Sequence, residues 1–279
     1  MNELREYQTI LLDILKDVAV ACNQMGIPYY LTEGTCLGAV RHKGFIPWDD
    51  DIDIAIPSSY YERFIRDIHK YLKKEHSVEP GFITGDYTRV VNTQIEVKSD
   101  VLTKGKSYHP WIDIMCLYGM PNNLVVREIH YIKFYLAQKL FKMSDSKNII
   151  RRKRNIFESI IVSIVSRINL TSILNKEKRL KKVQDLLFRY SFESSNYVLG
   201  YTSWYFKKEL MPKEVYGSGT NAIFEGEEIR IPSDYDTYLK RLYGDYMTLP
   251  PEEERQGKHK LTIVPNTPKN QSKLDTRTE

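Results

Sequence analysis

Between Trp48 and Ile56 the chain reads Trp-Asp-Asp-Asp-Ile-Asp-Ile-Ala-Ile, four acids that run directly into an apolar stretch. From Ile52 the residues alternate, Asp53 and Ala55 on one side and Ile52, Ile54 and Ile56 on the other, which is the pattern of a half-buried strand. The same period points Asp51 the way of Asp53, and Asp49 joins them if the strand starts that early. Crowded carboxylates raise one another's pKa and cost stability unless a cation stands between them. Oxygen-only donors favour a hard ion, Mg²⁺ or Mn²⁺. An acidic run can also be a solvated turn, but the apolar flanks argue against that here. Asp49, Asp51 and Asp53 imitate the opening of an EF-hand loop as well. That loop needs glycine at its sixth position and glutamate at its twelfth, where this chain has Ile54 and Tyr60, so the EF-hand is excluded.

The residues before this stretch add an anion site. Leu4, Tyr7, Leu11, Ile14, Leu15, Val18 and Cys22 recur at three- and four-residue spacing and predict a helix over 3–25 that stops at Gly26. A short strand, Tyr29 to Thr32, then leads into Gly34-Thr35, which opens a second helix. A helix start with free N–H groups and a close-approach glycine can hold an anion, though a plain turn reads the same way. Arg41, His42 and Lys43 follow that helix, either as a solvated basic turn or as counter-charge for a phosphate. Farther on, Trp111 to Cys116 is an apolar strand carrying one acid, Asp113, which is costly there unless paired or metal-bound.

Composition narrows the class of protein. With 279 residues, 42% of them hydrophobic, the chain can bury a sizeable core. Cys22, Cys36 and Cys116 lie far apart without a CxxC pair, which fits neither a disulfide framework nor a zinc site and points to a reducing compartment. The start of the chain predicts an acidic amphipathic helix, not a signal peptide, and no membrane-spanning run is expected.

A glycine turn, a basic turn, paired acids on one strand and a third acid on a later strand together resemble the active site of the nucleotidyltransferase fold. The run from Glu33 through Gly34, Thr35, Arg41, His42, Lys43, Trp48, Asp49, Asp51 and Asp53 to Ile54 is more specific still. It resembles the signature of the LicD family, phosphocholine transferases that decorate bacterial surface glycans, and distantly that of fukutin and fukutin-related protein, which transfer ribitol phosphate. The likeness continues through Trp111 to Ile114, Phe224-Glu225-Gly226 and Leu242 to Met247, and is weakest from about residue 124 to 200. It implies an α+β fold, a nucleotidyltransferase-like mixed sheet flanked by helices, with an added helical basic segment. It also implies catalytic acids Asp49, Asp51, Asp53 and Asp113, with Mg²⁺ or Mn²⁺ held by Asp51, Asp53 and Asp113. Asp50 is the weakest of the acidic candidates. Donor phosphates fall to Gly34, Thr35, Arg41, His42 and Lys43, and more loosely to Lys258 and His259. The implied donor is CDP-choline or another CDP-alcohol, and the acceptor a glycan or lipid-linked glycan.

The remaining chain sets the expected organisation. Residues 1–123 read as the catalytic core, 124–200 as a helical basic segment, 201–265 as a C-terminal part completing the catalytic domain, and 266–279 as a disordered tail. Residues 58–75 read as one helix and 87–98 as one strand. Between 139 and 182 thirteen lysines and arginines face three acids, bracketing an isoleucine-rich helix over 156–168. Such a helix suits an anionic membrane surface on the cytoplasmic side or a packed interface; nucleic acid is disfavoured because the aromatic interleaving of strand binders is missing. Gly217, Gly219 and Ala222 spell GxGxxA, but strand-like residues follow them, so the dinucleotide motif fails its context. A true nucleotidyltransferase, or a non-catalytic membrane- or glycan-binding module, are the other expectations.

Overall fold

The computed structural model describes residues 3–81, 87–99, 101–102, 106–144, 175–200, 206–257 and 259–264. The fold is mixed α and β around a seven-stranded mixed sheet. Its centre is β7 (Trp111–Met120), which pairs in parallel with β2 (Asp53–Pro57) on one edge, and β2 in turn pairs antiparallel with β1 (Tyr30–Leu31). The free edge of β7 is long enough for two partners. β4 (Thr88–Asn92) lies antiparallel along its first half, with β3 (His76–Glu79) outside it, and β8 (Tyr197–Gly200) lies along its second half, with β9 (Leu210–Pro212) beyond.

Helix α1 (Glu3–Met25) buries Tyr7, Leu11, Ile14, Leu15, Val18 and Cys22, the stripe its spacing predicts, against β4 and β7. α2 (Glu33–His42) follows β1 directly. Gly38 on α2 is required by close packing, since a Cβ there would stand 2.5 Å from the Gly44 carbonyl oxygen. The alternation around Asp53 predicts one wet face, yet every residue of β2 is buried. β2 lies inside the sheet and α2 packs on it, and a strand covered by other elements on both faces has none left for solvent.

Two predicted elements are broken up by tertiary hydrogen bonds. Residues 58–75 form a 3₁₀ turn, the seven-residue α3 (Tyr61–Asp67) and a second 3₁₀ turn ending at Lys70. The Lys73 N–H donates to the Asp17 carboxylate (2.9 Å), and that carboxylate also holds His76 Nδ1 (2.6 Å), which drives the chain into β3. The strand predicted over 87–98 divides at Asn92, whose side chain accepts the Gln94 N–H (3.0 Å); β5 (Val97–Ser99) then leaves for a small sheet with β6 (Ser107–Tyr108) and β12 (Leu261–Ile263).

Beyond the sheet, α4 (Leu124–Ser144) packs along α5 (Lys176–Leu187), whose N-cap Asn175 accepts the Lys178 N–H. The GxGxxA stretch is a glycine turn into the hairpin β10 (Thr220–Phe224) and β11 (Glu227–Ile231), as its context predicts. α6 (Tyr235–Tyr243) is capped by Asp234 and stops at Gly244, which has φ 73°. The expected 156–168 helix and the 266–279 tail lie outside the described residues.

Candidate active site

The sheet register builds the site. Asp53 stands opposite Asp113 on the β2–β7 pair, Asp113 opposite Arg89 on β4, and Arg89 opposite Glu79 on β3. On the other side the Thr32 N–H donates to the Asp53 carbonyl (3.0 Å), continuing the β1–β2 register by one residue. Opposed residues on neighbouring strands share a face, so Thr32, Asp53, Asp113 and Arg89 form one rung. β2 begins only at Asp53; Asp49 and Asp51 lie on the buried approach to it.

Each local contact is set by a residue of the signature. The Thr35 hydroxyl accepts the Asp53 N–H (2.9 Å). A Cβ on Gly34 would come within 2.8 Å of Asp49 Oδ2, so glycine is what lets that carboxylate lie against the start of α2, where the helix dipole favours negative charge. Gln8 of α1 donates to the Asp49 carbonyl (2.8 Å). Glu33 opens α2 at φ 46°, a left-handed conformation costing a non-glycine residue about 1–2 kcal/mol, and its N–H is held by the Tyr238 hydroxyl (3.0 Å). Strain of this kind concentrates at functional sites.

Electrostatics make the rung unusual. Asp49, Asp51, Asp53 and Asp113 are 7–8% exposed, a depth at which carboxylates persist only when compensated. Burial pushes the Asp113 carboxyl above the ordinary range; the Arg89 guanidinium (Nε to Oδ1, 3.1 Å) and Trp111 Nε1–H (3.1 Å) oppose this, and the charge of Asp51 adds to it. Arg89 also lies over the Trp111 ring, 4.4 Å from its centroid. Burial, with the charges of Asp50, Asp113 and Asp51, holds the Tyr7 phenol protonated. Among the described residues no three His, Cys, Asp or Glu side chains are gathered at metal-ligating distance, and both oxygens of Asp113 are held by Arg89 and Trp111. The set is nonetheless oxygen-only, buried and crowded with like charge. The Thr32 hydroxyl, buried on the same face, finds no hydrogen-bond partner among the described residues. This donor chemistry fits a hard divalent cation.

Other predicted residues sit farther out. Arg41, His42 and Lys43 are at the far end of α2 from Gly34 and Thr35, about 9–13 Å along the axis at 1.5 Å per residue. There Arg41 donates to the carbonyl of Tyr246 (2.7 Å) and to His42 Nε2 (2.9 Å), and the Lys43 carbonyl accepts the Glu225 N–H. Asp50 turns away from the rung and accepts the N–H groups of His259 and Lys260, both at 2.9 Å, with His259 Nδ1 at 3.3 Å. His259 thus meets the motif through Asp50 and through an edge contact on Trp111. Lys258 lies outside the described residues. Arg89, Thr32, Gln8 and Tyr238 were not predicted. Arg89 alone had a signal, a charge inside an apolar strand segment.

Comparisons with known proteins place the chain in a family. Residues 26–153 match the family described as LicD/FKTN/FKRP, nucleotidyltransferase domain. The lipopolysaccharide cholinephosphotransferase LicD of Haemophilus influenzae is 31% identical over 267 residues, covering 92% of this chain and 96% of that protein. The human ribitol-5-phosphate transferase FKTN is 34% identical over 79 residues, 25% of this chain and 17% of that protein. An uncharacterized protein of Rickettsia prowazekii is 48% identical over 46 residues, 16% of this chain and 17% of that protein. The chain is therefore an enzyme, a phosphotransferase of nucleotidyltransferase-like fold. It belongs to the LicD family.

Asp50 yields a test of the site's support. Burial raises its pKa, but the hydrogen bonds and charge of His259 and the Lys260 N–H lower it further, so the net shift is downward. A lowered folded pKa means stability that is full above the unfolded value near 3.9 and lost as pH falls through the folded value. Asp50→Asn should destabilise the protein by about 1–3 kcal/mol at pH 7 in urea unfolding, with the gap to wild type closing in strong acid. A gap independent of pH would contradict this role.

Proposed function

We propose that the enzyme transfers phosphocholine, or a related phospho-alcohol, from a CDP-linked donor to a sugar hydroxyl of a cell-surface glycan precursor (lipopolysaccharide, capsule or teichoic acid) and releases CMP. The observation that carries this reading is the rung on which Asp53 and Asp113 stand side by side, with the charge of Asp51 acting on Asp113. The name of the H. influenzae relative supplies cholinephosphate and lipopolysaccharide; the name of the human one supplies ribitol phosphate as the related cargo.

The residues divide the work as follows. Asp51, Asp53 and Asp113 would hold Mg²⁺ or Mn²⁺, which when bound supplies charge neutralisation at the diphosphate. Arg89 opposes the upward push of burial on Asp113 and holds one of its oxygens, and Trp111 fixes the second. The start of α2 at Gly34 and Thr35 orients the donor phosphates by its N–H groups, with Arg41 and Lys43 as outer cations. The acceptor oxygen bonds to the phosphorus that carries the alcohol, its proton is lost to the site, and the bond to CMP breaks. A nucleotidyltransferase would attack the nucleotide's own phosphorus instead, so the products discriminate the two.

Mass spectrometry after incubation with CDP-choline, CDP-ribitol or CDP-glycerol and a glycan precursor should find CMP and a phospho-alcohol-tagged glycan; a nucleotide-tagged product would establish the alternative. Asp51→Ala or Asp53→Ala should lower turnover by more than the ~10–100-fold typical of outer-sphere partners and leave thermal melting intact, since each removes a repelling charge from the empty site. Turnover near wild type in either variant at saturating Mg²⁺ would remove that residue from the machinery. Asp50→Asn should cost far less turnover than either.

We also infer that the enzyme works at the inner membrane face. Among the described residues no helix is long and apolar enough to cross a membrane. α4 instead exposes Val125, Ile129, Ile132, Leu136 and Leu140 along one stripe, opposite the face that buries Phe134 and Phe141, with Lys133, Lys139 and Lys142 alongside. An apolar stripe edged by lysines matches an anionic leaflet. The protein should float with anionic liposomes and release as salt rises; Ile132→Asp should weaken flotation without unfolding the chain. Flotation indifferent to lipid charge, to salt and to Ile132 would refute the membrane assignment.

A further inference from the structure

We propose that a cavity of about 1100 Å³ at the far end of β2 binds the sugar acceptor as an uncharged glycan, an assignment that rests on the transfer reaction proposed above. The sheet itself ties this cavity to the acid rung. Tyr30 pairs with Ala55, and Asp53, Ala55 and Pro57 alternate onto one face, so the cavity residues Tyr30 and Pro57 share the face of the catalytic acids. At about 3.3 Å per residue, Pro57 lies about 13 Å beyond Asp53. That is farther than the few bonds separating phosphorus from nitrogen in phosphocholine, so a donor seated on the acids does not fill the cavity with its own alcohol. An extended acceptor lying along β2 reaches both.

The lining selects for sugar among the possible ligands. Tyr60, Phe192 and Tyr197 present partly exposed rings, while Glu193, Asn196 and Glu214 are exposed polar groups around them. A quaternary ammonium is a poor fit, because two of these rings already carry cations. The Arg127 guanidinium lies 3.5 Å from the Tyr197 centroid and Lys213 Nζ lies 5.2 Å from that of Phe192. An anion is also a poor fit. Lys213 Nζ is engaged by the carbonyls of Phe192 (3.0 Å) and Glu193 (2.8 Å), which leaves the lining with two carboxylates against one committed ammonium. A neutral sugar meets neither objection. Its C–H face packs on an aromatic ring and its hydroxyls donate to Glu193 and Glu214, the combination of apolar wall and few oriented polar groups expected of a ligand site. The size lies just above the range of small-molecule pockets, about 300–1,000 Å³, which suits more than one sugar ring.

Saturation-transfer NMR on the full chain, with lactose and a lipopolysaccharide core oligosaccharide lacking phosphocholine as probes, reads the site without turnover. Wild type should show transfer to the sugar protons, undiminished by choline chloride. Tyr60→Ala and, as a milder surface variant, Glu214→Gln should weaken oligosaccharide binding about tenfold. In the transfer assay both should raise KM for the glycan while donor hydrolysis in its absence stays at the wild-type rate. No binding of either probe, binding equal in wild type and both variants, or displacement by choline would overturn the assignment. Absence of transfer from every CDP donor with sugar binding intact would instead overturn the reaction and leave the site standing.

Discussion

Two carboxylates set side by side in a buried sheet are the constraint to which the rest of this structure answers. Neighbouring strands are about 4.8 Å apart, and at an effective dielectric of about 20 two unit charges at that spacing repel by roughly 3 kcal/mol. Asp53 and Asp113 are placed in that relation by the parallel β2–β7 register. Arg89 is the counterweight supplied by the fold: β4 runs antiparallel on the other edge of β7 and brings the guanidinium to the same rung. Buried acids crowded on one rung favour positive charge among them, and the fold answers with a guanidinium on the neighbouring strand.

The C-terminal third holds this centre from outside. Tyr238 of α6 fixes the strained Glu33 at the head of α2, the carbonyl of Tyr246 takes Arg41 at its tail, and the backbone of His259 and Lys260 closes on Asp50. Three contacts from more than 200 residues away thus secure the two ends of the glycine helix and the approach to the acid strand. A signature legible as one short segment depends on a distant part of the chain for its geometry.

What could be read from the residues followed from local period and spacing. The stripe of α1, the alternation that sets Asp53 on one face of β2 and the Asp113 strand are short-range patterns, and each formed where predicted, the last running four residues farther to Met120. Register between distant strands is not a local property. Nothing near Arg89 in sequence says that it will lie opposite Asp113, and nothing near Asp50 says that it will face a loop 209 residues on. The same holds where tertiary bonds overrode period: Asp17 capturing Lys73 and His76 cut short a helix that apolar spacing alone would have continued. The basic turn shows the converse: Arg41 lies close to Thr35 in sequence, and the length of α2 sets it at the opposite end of the helix.

The central claim is that Asp51, Asp53 and Asp113 form one oxygen-donor set for a divalent cation. Mn²⁺ titration followed by electron paramagnetic resonance, with CDP-choline present and absent, tests it directly. The account predicts saturable Mn²⁺ binding that tightens with the nucleotide, is competed by Mg²⁺, and is lost in Asp53→Asn and Asp113→Asn but retained in Asp50→Asn. Binding that survives both rung substitutions, or that disappears equally with Asp50, would contradict it.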